Sequence, residues 1–96
     1  GGGMVGITTA YLLKKEGLRV AVLEADRILQ GTTGHTTAKV TSQHNLIYHK
    51  INQQMGEEKA RQYAEANEAA IHMISSIIRE NGIDCDFEWR SSYVYT

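Results

Sequence analysis

Apolar residues along this chain follow two rhythms, with a polar, turn-rich middle between them. From Met4 to Glu16, the residues Val5, Ala10, Leu12 and Leu13 give a helix an apolar surface. Lys14 and Lys15 place basic charge at its end, and Gly17 stops it. The next stretch is continuously apolar from Val20 to Leu23 and rich in β-branched residues, which predicts a short strand buried on both faces of a parallel sheet. Residues 30–41 then read QGTTGHTTAKVT, a loop or tight turn. Thr41 or Ser42 can cap a second helix whose positions Ile47, Tyr48, Ile51 and Met55 share a face, ending at Gly56. The clearest helix runs from Glu57 to Asn81. Ala60, Tyr63, Ala64, Asn67, Ala70, Ile71, Ile74 and Ile78 recur three or four apart along it, and Asn81-Gly82 is its stop. After it, Cys85, Phe87 and Trp89 alternate as in a strand. The fold class expected from this order is α/β, a parallel sheet with flanking helices.

Composition narrows the function. Ninety-six residues with 42% hydrophobic content and a net charge of −1 have room for one small core. The balanced charge argues against a nucleic-acid surface, which needs a basic excess to displace counterions. No apolar run reaches the length of a membrane span and no leader pattern is visible, so a cytoplasmic location is expected. Cys85 is the only cysteine, which excludes an internal disulfide and a thiolate cluster. Flanked by Asp84 and Asp86, it is expected to be a buried structural residue rather than a reactive thiolate. His44, His49 and His72 have no metal-ligand spacing, so no metal site is expected.

The chain opens GGGMVG. Gly1, Gly3 and Gly6 match G-x-G-x-x-G, the turn that presents a pyrophosphate to the N-terminus of a helix. One glycine permits the tight turn, one lets the backbone approach the phosphates, and one lets helix and strand pack closely. Glu24 stands eighteen positions after Gly6, at the end of the expected strand, where a carboxylate would accept hydrogen bonds from the adenosine ribose. The motif should follow a strand, so the chain is expected to be a fragment whose first strand lies upstream of Gly1.

The second glycine-threonine turn, so soon after the acid, suits an extended dinucleotide better than continued strand and helix alternation. At GGGMVGITTAYLLKKEGLRVAVLEADRI, GTTGHTTAKVTSQH and DCDFEWRSSYVYT the chain resembles the FAD-dependent oxidoreductases of the D-amino-acid oxidase and glycine oxidase class, the DadA-like flavoproteins. The last two stretches are most similar to a Bacillus-type subgroup with a C-terminal Rieske domain. The resemblance implies that Gly1, Gly3, Gly6 and Glu24 hold the ADP half of FAD. Thr32, Thr33, Gly34, His35, Thr36 and Thr37 would then lie near its phosphates and flavin half. It implies oxidation of an amine or amino-acid substrate by hydride transfer to the flavin. Residues 1–82 would form a partial FAD-binding domain of Rossmann type, and residues 83–96 would begin a β-rich substrate domain. A Rieske two-iron two-sulfur cluster would belong to a downstream domain, because its paired Cys and His elements are absent here.

Some questions stay open in the sequence. His35 can meet a phosphate or a flavin carbonyl, or it can cap a backbone carbonyl. Catalytic residues, substrate identity and electron acceptor are not readable, and a homo-oligomer is compatible with the composition. Two alternatives fit the same residues: part of a nicotinamide-dependent dehydrogenase, and a truncated, non-catalytic dinucleotide-fold domain. The 96 residues alone are expected to be inactive and to hold FAD weakly.

Overall fold

The structure, a computed structural model, describes residues 1–95. Its regular elements are helix α1 (Met4–Lys15), a 3-10 turn (Thr32–His35), helix α2 (Ile47–Met55) and helix α3 (Glu57–Glu80). The chain divides into two compact units, Gly1–Lys39 and the part from Val40 onward.

In the first unit, α1 ends as its sequence dictates. Gly17 adopts φ +81°, which glycine reaches without steric cost. The Gly17 amide donates to Lys14 O at 3.0 Å and the Leu18 amide to Leu13 O at 3.2 Å, the paired bonds of a Schellman stop. Irregular chain leads from there to the 3-10 turn. Among the described residues Gly2 alone is buried.

In the second unit α2 packs against α3. Gly56 ends one helix and begins the other at φ +87° and ψ 166°, a conformation essentially restricted to glycine. The α3 stripe is half-buried at Ala60, Tyr63, Ala64, Asn67, Ile71, Ile74 and Ile78, as its periodicity predicts; Ala70 is exposed. Tyr63 meets the Tyr48 ring edge-on, with centroids 5.8 Å apart, and its hydroxyl hydrogen-bonds His44 Nδ1 at 2.8 Å. A second Schellman stop closes α3, with the Gly82 amide on Arg79 O and the Ile83 amide on Ile78 O. Beyond it, Trp89 lies 5.4 Å from the His72 ring and Gln43 Nε2 donates to Ser92 O at 3.3 Å, tying the terminal segment to this unit.

Three expectations need correction. The α/β class is the first, because no strand occurs among the described residues. Val20–Leu23 runs as irregular chain, with Val22 42% and Leu23 83% exposed, so it is not a strand buried on both faces. Residues 83–95 are also irregular, and Thr96 lies outside the described residues. The physical reason is common to both segments. A β-branched run suits a pleated neighbour but cannot supply one, and neither segment has a ladder partner here. The parallel sheet, the Rossmann-like domain and the β-rich second domain are therefore not features of this structure.

The second correction is the start of α2, at Ile47 rather than after Thr41 or Ser42. Thr41 Oγ1 instead accepts the Gln43 amide at 3.0 Å in a local turn, and Asn45 at φ +52° breaks any helix begun earlier. Cys85 is the third: it is exposed, not buried.

Candidate functional site

The candidate site is built on the first turn of α1. Its N-cap is Gly3, which has no side chain to satisfy the orphan amides of the helix start. Acceptors come from elsewhere. Thr33 Oγ1 accepts the Met4 amide at 3.2 Å across 29 residues of sequence. Glu24 Oε2 accepts the Gly2 amide at 2.5 Å, and Glu24 Oε1 accepts the Asp26 amide at 3.1 Å. These amides, Gly2 first and Asp26 second, hold the Glu24 carboxyl below its ordinary pKa. The carboxylate therefore stays ionised and works purely as an acceptor.

Sterics explain why the turn is made of glycine. A Cβ on Gly6 would lie 1.9 Å from Gly1 O, so the backbone of the turn closes directly over Gly6. A Cβ on Gly3 would lie 3.1 Å from Thr33 Oγ1. The same device recurs in the threonine turn, where a Cβ on Gly34 would lie 1.8 Å from Leu29 O. Left-handed residues Leu29 (φ +64°) and Ala38 (φ +57°) flank that turn. Inside it, His35 Nδ1 donates to Gly31 O at 2.8 Å and Thr36 Oγ1 donates to Thr33 O at 3.3 Å. The Ala38 amide donates to Thr36 Oγ1 at 3.3 Å. In the neutral ring this leaves His35 Nε2 as an acceptor.

The structure thus brings together Gly1, Gly3, Gly6, Glu24 and Thr33. Gly34, His35 and Thr36 shape the loop that delivers Thr33. Thr32 and Thr37 are exposed on the same loop, and their side chains make no hydrogen bond among the described residues. An open groove beside the glycine turn is lined by Gly1, Gly6, Thr9, Leu13, Val20 and Val22. Sequence reasoning missed Gly2, a variable position in G-x-G-x-x-G. It supplies the amide that Glu24 binds, and a Cβ there would lie 2.6 Å from Ile28 Cγ2. The available signal was the unbroken run of three glycines. No group of three metal-ligating side chains comes together among the described residues.

An ionised acid, a helix start with spare amides and a turn closed over glycine suit the nucleotide half of a dinucleotide. Sequence similarity gives the class: the FAD dependent oxidoreductase (DAO) family matches residues 1–96, and the chain belongs to it. Its relatives include a Bacillus subtilis protein named as a Rieske 2Fe-2S iron-sulfur protein, YhfW, 51% identical over 96 residues. That match covers 100% of this chain and 19% of the relative. Gamma-glutamylputrescine oxidoreductase of Escherichia coli is 30% identical over 87 residues, covering 91% of this chain and 20% of that protein. The oxidoreductase OrdL of Haemophilus influenzae is 28% identical over 93 residues, covering 97% and 21%. The chain therefore spans about a fifth of the length of these curated relatives. No solved structure matches it.

Proposed function

We propose that this chain is the part of an FAD-dependent amine or amino-acid oxidoreductase that holds the ADP half of the cofactor. The observation that carries the reading is the Glu24 carboxylate, ionised and fixed on the Gly2 amide beside the start of α1. From there it can accept hydrogen bonds from ribose hydroxyls through its remaining lone pairs. The amides of Val5 and Gly6 have no acceptor among the described residues and carry the positive end of the α1 dipole, which suits pyrophosphate oxygens. The threonine turn, brought to the same helix start by Thr33, adds hydroxyl groups of the kind that meet phosphates. When bound, FAD supplies the redox chemistry, accepting hydride from the carbon next to the substrate nitrogen. An amine substrate is supported by the name of the Escherichia coli relative.

The Bacillus subtilis relative's name extends the proposal to a Rieske cluster in the whole polypeptide. Such a cluster would be held outside these residues, since one cysteine cannot provide its ligands. The test is a visible absorption spectrum of the full-length protein, with the released cofactor identified by mass. Bound FAD that weakens on Glu24→Ala is expected. A colourless protein that takes up no added FAD would overturn the reading.

A further inference from the structure

The Gly2 amide and the Glu24 carboxylate make the shortest hydrogen bond of the glycine turn, 2.5 Å, and it is partly buried although Glu24 itself is exposed. The sequence-distant group nearest to a side chain built on Gly2 is Ile28. An added Cβ would stand 2.6 Å from Ile28 Cγ2 and 3.3 Å from Glu24 Oε2. Ile28 therefore sits over the α-carbon of Gly2, on the same side as the carboxylate oxygen. Its side chain is apolar and 59% exposed. An apolar group beside a charge-assisted hydrogen bond keeps water from competing for donor and acceptor, which strengthens the bond.

We propose that Ile28 is a positioning residue for the ADP half of the cofactor. It covers the Gly2–Glu24 bond and so fixes the carboxylate that faces the ribose, and Gly2 is glycine because Ile28 occupies the space of its missing side chain. This inference rests on the reading of the site as an FAD site. It also assigns a steric role to the variable position of the motif, which its phosphate-binding geometry does not require.

The test uses four variants of the full-length protein, with FAD affinity read from flavin fluorescence and ADP affinity from competition. Ile28→Val keeps Cγ2 and should bind FAD within about twofold of the parent, as expected for a volume change of one methylene. Ile28→Ala uncovers the bond and should weaken FAD and ADP by the same factor, roughly three- to tenfold, as water takes part of the value of a charge-assisted bond. Gly2→Ala should weaken both by about tenfold or more through the clash. The double variant Gly2→Ala/Ile28→Ala removes that clash and should bind more tightly than Gly2→Ala alone. Rescue of this kind separates positioning from general destabilisation, which would make the double variant worse. If the parent binds FAD but Gly2→Ala binds equally well, or the double variant shows no rescue, the inference is overturned and the FAD reading stands. If Ile28→Ala weakens FAD with ADP unchanged, the role of Ile28 at the ADP half is overturned. A parent protein that binds no FAD overturns the functional reading, and this inference with it.

Discussion

Gly6→Ala tests the glycine turn most severely, because two effects of opposite sign meet at one atom. Gly6 lies inside α1, where alanine is ordinarily worth about 1 kcal/mol more than glycine. On helix propensity alone the variant should be stabilised. The turn predicts otherwise, since the new Cβ would stand 1.9 Å from Gly1 O, far inside any real contact. The obstacle is a backbone carbonyl, so no rotamer change relieves it. Gly1 also cannot swing away freely, because the next residue is held by the 2.5 Å bond from the Gly2 amide to Glu24. Overpacking of this kind costs ~1–3 kcal/mol where neighbours can relax, and a fixed carbonyl argues for the upper end. At about 1.4 kcal/mol per tenfold, a distortion of that size carried into the cofactor site lowers FAD affinity roughly hundredfold. The assay is FAD titration of the full-length variant, with far-UV circular dichroism as a check that α1 persists. A variant that melts higher than its parent and binds FAD equally well would refute the reasoning, since Gly6 would then be an ordinary helix position.

Four further outcomes are expected. Gly34→Ala, whose Cβ would meet Leu29 O at 1.8 Å, should distort the threonine turn and weaken FAD binding. Gly31→Ala, with nothing within 4 Å, should change stability by no more than ~0.5 kcal/mol; equal effects from the two would remove the steric argument. Because hydrogen bonds from Gly2 and Asp26 depress the Glu24 pKa, its contribution is complete above the ordinary carboxylate range and disappears as pH falls through the lowered value. FAD affinity measured against pH should show that loss in the parent and not in Glu24→Gln, and a loss beginning in neutral solution would contradict the assignment. Tyr63→Phe removes the 2.8 Å bond to His44 while leaving the ring beside Tyr48. It should cost ~0.5–1.5 kcal/mol and raise amide exchange over residues 42–48, and unchanged exchange would show that the bond carries no load.

What the sequence made legible divides along the line between local and non-local causes. The helices were readable because their determinants lie within a few residues: the periodic stripe of α3, the acidic pair Glu57 and Glu58 at its start, and the glycine stops at Gly17, Gly56 and Gly82. The late start of α2 was missed for a reason equally local but ambiguous. A threonine hydroxyl before an apolar run can cap a helix or close a turn, and Thr41 closes a turn. The sheet is a different failure. Val20–Leu23 has a strand's composition, yet a strand is a relation between two segments, and composition describes only one of them.

The candidate site shows the same division more sharply. Gly1, Gly3, Gly6 and Glu24 were singled out because a fixed spacing encodes their joint geometry, and the structure places them around one helix start. Thr33 was placed near the cofactor through the composition of its turn and by family resemblance, and no spacing rule links it to the Met4 amide 29 residues away. Gly2 and Ile28 were not found at all. Their relation is an excluded volume, and a missing side chain leaves no chemical signature until the neighbour that fills its place is known. A motif written with x at that position marks it as free, although its freedom depends on what residue 28 carries. Substitutions at Gly2 should therefore be tolerated only together with a smaller residue at Ile28, a dependence between positions that a pattern read one residue at a time cannot express.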